Sequence, residues 1–131
     1  MDALRVLVVD DSADVADGLC SLLRRWGHQT RVAYDGPQAL AHAHEFRPDV
    51  ALLDLGLPGL DGYEVGRRLH ELPGLGGLPL VAMTGHADAA YERRSREEGY
   101  AAHLVKPADL PALAAILSAL AREKARRTQA G

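Results

Sequence analysis

The chain has 131 residues, enough for one domain around a single hydrophobic core and too few for a second of any size. Hydrophobic residues make up 47% and charged ones 25%, the balance of a soluble globule and not of a disordered chain. A formal charge of -3 is too small for a nucleic-acid surface, the one cysteine excludes an internal disulfide, and no apolar run approaches the roughly 18 residues that span a bilayer.

The opening "MDALRVLVVDD" carries acids where a signal peptide carries a basic segment, which with the lone Cys20 reads as a cytoplasmic protein. "LRVLVV" (4–9) is continuously apolar and predicts a strand covered on both faces. Val15, Leu19, Leu22, Leu23 and Trp26, with Cys20 at the edge, form one stripe and predict a core-facing helix, capped by Ser12 and stopped by Gly27. Trp26 reads there as packing. "HQTRVA" (28–33) is more polar and predicts an edge strand. Ala39, Leu40, Ala43 and Phe46 mark a second helix, closed by the "RPD" turn. "DVALLD" (49–54) is again nearly all apolar, a central strand. Tyr63, Val65, Leu69 and Leu72 mark a third helix ending before Pro73, and "PGLGG" (73–77) reads as a flexible loop. "LPLVAMT" (78–84) predicts the fourth strand. Asp88 to Glu98 is a weaker, polar helix with Gly99 beyond it, and its Arg93, Arg94 and Arg96 read as a solvated face or part of an output surface. "AAHLVK" (101–106) is the fifth strand. Leu110, Leu113, Ile116, Leu117 and Leu120 make the fifth helix. "AREKARRTQAG" ends the chain as a basic, frayed extension, so the domain is placed at 1–122 and the extension at 123–131.

Strands alternating with helices of this length indicate an α/β protein with a parallel sheet. Polar residues then collect at strand ends: Asp10 and Asp11 after the first, Asp54 at the third, Thr84 at the fourth and Lys106 at the fifth. Open α/β sheets bind ligands outside the carboxyl ends of their strands. Each residue alone has a plainer reading: a helix-cap pair, a turn aspartate, an ordinary β threonine, a surface lysine. Asp54 is the sharpest of them, because an unpaired carboxylate at the end of a buried strand is costly. Three carboxylates drawn together would need a cation.

Four segments, "VLVVDD", "LLDLGLPGLDG", "VAMTG" and "LVKP", stand in this order. With them the chain resembles a response-regulator receiver domain, the phosphoacceptor module of two-component signalling, over roughly residues 4–122. The resemblance implies a (βα)5 flavodoxin-like, doubly wound parallel sheet in the order 2-1-3-4-5. It implies that Asp54 takes a phosphoryl group from phosphohistidine with Mg2+ or Mn2+, and that the protein is a signalling phosphoacceptor and not an enzyme. Asp11 and Asp54 are then direct metal ligands, Asp10 holds a coordinated water, and the backbone carbonyl of Gly56 supplies a further oxygen. Lys106 neutralises phosphoryl charge, Thr84 donates its hydroxyl and moves toward the phosphate, and Pro107 follows a cis bond that turns Lys106 inward. Pro58 and the two glycines of "LPGLDG" are expected to shape the loop after the acceptor through glycine's backbone freedom, with Asp61 capping the third helix.

The chain departs from the family at three positions. His103 stands where receivers place Tyr or Phe, either as a solvent-facing histidine or as a ring that turns inward toward space vacated by Thr84. Gly56 and His86 occupy the positions that govern water access to the acyl phosphate, and they push its lifetime in opposite directions. His28, His42, His44 and His70 have no zinc-site spacing and read as surface residues.

The expected partners are a sensor histidine kinase or histidine phosphotransfer protein docking on the first helix, and a downstream protein target or tethered domain. No direct contact with nucleic acid or membrane is expected, and homodimerisation through the output face is compatible with the resemblance. Two other classes compete. A magnesium phosphatase with an aspartyl nucleophile would need an acid two residues past Asp54, where Gly56 stands. A receiver-like module that binds partners without phosphorylation is disfavoured by the intact Asp10, Asp11, Asp54, Thr84 and Lys106 set.

Overall fold

The structure is a computed structural model that describes residues 3–57, 62–85 and 89–130, the last three as backbone only. Ten elements alternate: β1 (Arg5–Val9), α1 (Ala13–Arg25), β2 (Gln29–Ala33), α2 (Gly36–Phe46), β3 (Val50–Asp54), α3 (Gly62–Glu71), β4 (Leu80–Thr84), α4 (Ala89–Glu97), β5 (Ala102–Val105) and α5 (Leu110–Ala130). All strand pairs are parallel and the sheet order is β2-β1-β3-β4-β5, the (βα)5 arrangement expected. β2 lies at an edge, as its polarity requires.

The period-two alternation of the central strands divides the core into two layers. Val6, Val8, Val50 and Leu52 pack with Ala16, Leu19 and Leu23 of α1 and Leu113 and Leu117 of α5. Leu7, Val9, Ala51 and Leu53 pack with Ala39 and Ala43 of α2 and Val65 and Leu69 of α3. Each such leucine contributes about 1.5–3 kcal/mol by leaving water, and the three central strands β1, β3 and β4 are all firmly seated. α4 differs: of its residues only Ser95 is buried.

Several local expectations are corrected. Val15 is 41% exposed and Leu22 and Trp26 are half-buried, while Ala16 and Cys20 join Leu19 and Leu23 in the core. Ser12 holds the N-cap position of α1, but its side chain makes no capping bond. Gly27 ends α1 with φ +98°, a backbone that favours glycine. "PGLGG" is anchored, since Leu75 is buried and the Arg47 guanidinium donates to the Pro73 carbonyl. α5 stays helical to Ala130, through the segment expected to fray. Lys124 pairs there with Asp49 at 2.9 Å, and Asp49 also accepts the Arg5 amide at 2.8 Å, tying the helix to the amino end of the sheet.

Candidate functional site

Parallel register places the strand ends on one edge. Val9 pairs with Leu53, Asp54 with Met83 and Thr84 with Val105. Asp10 therefore follows β1, Asp54 closes β3, Thr84 closes β4 and Lys106 follows β5, all on the carboxyl side. The strands that carry the two central carboxylates lie buried in the middle of the sheet, so backbone relaxation cannot separate them cheaply.

The side chains meet as this register dictates. Asp10 is fully buried and Asp54 is 6% exposed, whereas Asp11 is exposed. The Lys106 ammonium donates to Asp10 Oδ2 at 2.7 Å and to Asp54 Oδ2 at 3.1 Å. The other oxygens are also engaged: Asp10 Oδ1 accepts the Ser12 amide at 2.9 Å, and Asp54 Oδ1 accepts the Gly56 amide at 2.9 Å. Carboxylate oxygens of Asp10, Asp11 and Asp54 all lie within 4.8 Å of one another. Burial alone would lower the Lys106 pKa. Its hydrogen bonds to Asp10 and Asp54, and their charges, outweigh that and hold it above the usual lysine value.

Three carboxylates against one ammonium leave a net charge of about -2 in this pocket, and the buried Asp10–Asp54 pair repels by roughly 3 kcal/mol at an effective dielectric near 20. An all-oxygen donor set of this charge fits a hard divalent cation.

The remaining expected residues divide. Thr84 is 3% exposed at the same edge, and its carbonyl accepts the Lys106 amide at 2.7 Å. The Lys106–Pro107 bond is cis. Gly56 supplies its amide to Asp54, and no contact assigns its carbonyl. Gly62 has no left-handed backbone. A Cβ on it would lie 2.6 Å from Leu55 Cα and 2.9 Å from the Asp54 carbonyl, so close approach and not conformational freedom requires glycine there. Pro58, Gly59, Asp61, His86 and Asp88 lie outside the described residues.

His103 is half-buried, with Nδ1 3.2 Å from Ser95 Oγ. Ser95 Oγ in turn lies 3.1 Å from the Tyr63 hydroxyl, so one polar chain joins β5, α4 and α3. Arg93, Arg94 and Arg96 are all exposed, the solvated face expected, and the Arg94 guanidinium also sits over the Tyr63 ring at 4.2 Å. Sequence reasoning missed Ser95 and took Tyr63 only as part of the third helix's apolar stripe. The available signal was a lone small hydroxyl at the one core-facing position of a helix with no apolar stripe. The other histidines are structural too: His28 Nδ1 accepts the Leu4 amide, and His42 and His70 donate to the Val32 and Leu78 carbonyls. His44 alone of the four is exposed.

Comparison with known proteins converges on one family. The family model described as response regulator receiver domain matches residues 6–118. The DNA-binding response regulator MtrA of Mycobacterium tuberculosis is 41% identical over 109 residues, covering 82% of this chain and 46% of that protein. Protein PilH of Pseudomonas aeruginosa is 30% identical over 116 residues, covering 88% of this chain and 96% of that protein. A crystal structure of a response regulator from Chloroflexus aurantiacus superposes with a TM-score of 0.83 at 30% identity, covering 92% of this chain and 98% of that one. The chain thus spans about half the length of MtrA and nearly all of PilH.

Proposed function

The chain belongs to the response regulator receiver domain family, whose members are phosphoacceptors in two-component signalling, and we propose that its acceptor is Asp54. The observation that carries this is the shared lysine: Lys106 bridges Asp10 and Asp54 within one three-carboxylate cluster. An Asp54 oxygen attacks the phosphorus of a phosphohistidine, a P–O bond forms as the P–N bond breaks, and the leaving imidazole takes a proton from solvent. The product is an acyl phosphate. Catalysis of such a transfer rests on positioning and charge neutralisation. Lys106, already aimed at Asp54 Oδ2, supplies positive charge on one side. Mg2+ or Mn2+ held by Asp10, Asp11 and Asp54, with the Gly56 carbonyl as a further oxygen, would supply the rest of the neutralisation. Thr84 donates its hydroxyl to the transferred group.

A histidine kinase or phosphotransfer protein is the donor. Supporting this, Val15 and Leu110 are exposed apolar residues beside the site, and with Leu19, Met83, Pro107 and Ala108 they line a groove of about 390 Å³ reaching Lys106. Output runs to a downstream protein or a tethered domain. His103 is the switch residue. Its bond to Ser95 ties β5 to α4, and an inward turn of the ring would release that tie. If His103→Ala leaves phosphorylation-dependent partner binding unchanged, this switch role is wrong.

The acceptor assignment is tested by incubating the protein with magnesium and a small phosphodonor and measuring intact mass. Wild type gains one phosphoryl group, Asp54→Asn gains none, and chelation of the metal abolishes the gain. An adduct that survives in Asp54→Asn overturns the assignment. A phosphatase is disfavoured because no acid stands at Gly56 to protonate a leaving group.

A further inference from the structure

At the C-terminal end of α1, against the middle of α5, lies a groove of about 490 Å³ that the phosphoryl chemistry does not use. Trp26, Ala114, Leu117 and Ala121 give it an apolar wall, and Arg25 and Arg122 are exposed at its rim. Neither arginine has an acid within ion-pair distance among the described residues. The neighbouring cations differ: Arg24 is engaged by Thr30 at 2.9 Å and Lys124 by Asp49. Arg126, also exposed, stands one helical turn beyond Arg122 on the same side of α5 and extends the positive rim.

His28, on the same groove, adds a donor. Its Nδ1 accepts the Leu4 amide at 3.0 Å, so the neutral ring carries its hydrogen on Nε2, which has no partner among the described residues. Burial favours that neutral form by lowering the His28 pKa.

We propose that this groove docks a short acidic protein segment carrying a two-residue apolar anchor. The anchor lies against Trp26 and Leu117, and flanking carboxylates pair with Arg25 and Arg122. Charge complementarity selects acids, since the rim holds positive charge that the protein itself leaves unpaired. Concavity selects an inserted side chain. A membrane would need the aromatic to protrude from the surface, and a nucleic-acid backbone would need more cations spread along a track. The site lies apart from the acidic pocket, so it stands or falls independently of the phosphoacceptor reading.

Trp26 is the chain's only tryptophan, so its emission reports this groove directly. The probe is the fluorescein-labelled peptide Asp-Glu-Asp-Leu-Phe-Glu-Asp-Glu, titrated against the intact, unphosphorylated protein by anisotropy, with an unlabelled copy for the Trp26 emission. Binding is expected, with a blue shift of the tryptophan. Replacing Leu-Phe by Gly-Ser weakens it by at least about tenfold. Arg25→Ala and Arg122→Ala each weaken it roughly two- to fivefold. Ser118→Phe, which fills the groove from an exposed position on α5, abolishes it. The proposal is overturned if emission stays constant up to millimolar peptide, or if the anchorless peptide binds equally. It is also overturned if phosphatidylserine vesicles or a DNA oligonucleotide, and not the peptide, bind in an Arg25- and Arg122-dependent way.

Discussion

The carboxyl end of β1 and β3 and the α4–β5 edge are held by opposite means. At the first, Val6, Val8, Leu52 and Leu53 are wholly buried and fix the backbone on which Asp10 and Asp54 stand. At the second, α4 buries a single serine, β5 is partly exposed, and the contact between them runs through Ser95 and His103. The difference separates two tasks. Carboxylates that repel one another are kept together by strands that cannot relax and by the Lys106 bridge, whereas an edge held by a few exchangeable hydrogen bonds opens at small cost.

The largest expected contrast is in stability. Leu52→Ala, in the centre of β3, should cost about 2–5 kcal/mol in urea unfolding. Ser95→Ala should cost about 1 kcal/mol, the ordinary loss for a hydrogen-bonding hydroxyl. If both cost the same, the edge is packed as firmly as the centre and the contrast fails. A smaller effect sharpens the comparison at the amino end of the central strands. His28 is neutral when it accepts the Leu4 amide, and burial holds its folded pKa below the unfolded value of about 6.5. The unfolded chain therefore takes up the proton first. The stability His28 provides is present above that value and is lost as pH falls toward the folded pKa. The urea midpoint gap between wild type and His28→Asn should narrow from pH 7.5 to pH 5.5. A constant gap would show that the ring does not titrate with folding.

The central region was legible in the sequence because its physics is local. Continuous apolar runs announce β1, β3 and β4, and parallel topology then brings Asp10, Asp54 and Lys106 to one edge without any knowledge of side-chain contacts. The edge was less legible. Ser95 sits among arginines and glutamates in a run that reads as solvated, and only the packing of α4 on β5 turns it inward. Val15 fits a helical stripe by spacing, yet Ala16 and Cys20 take the core-facing positions beside Leu19 and Leu23. Ser12 stands where an N-cap should, but its side chain makes no capping bond, and its amide is instead held by Asp10. The helical course of 123–130 was hidden because a basic run gives no hint of the Lys124–Asp49 pair that anchors it.

The central claim is that repelling carboxylates held on immobile strands make Asp54 the group that reacts. Borohydride reduction of the phosphorylated protein, followed by peptide sequencing in the mass spectrometer, reads the position directly, because it converts an aspartyl phosphate to homoserine. The account predicts homoserine at position 54 alone. Homoserine at position 10 or 11, with Asp54 intact, would contradict it.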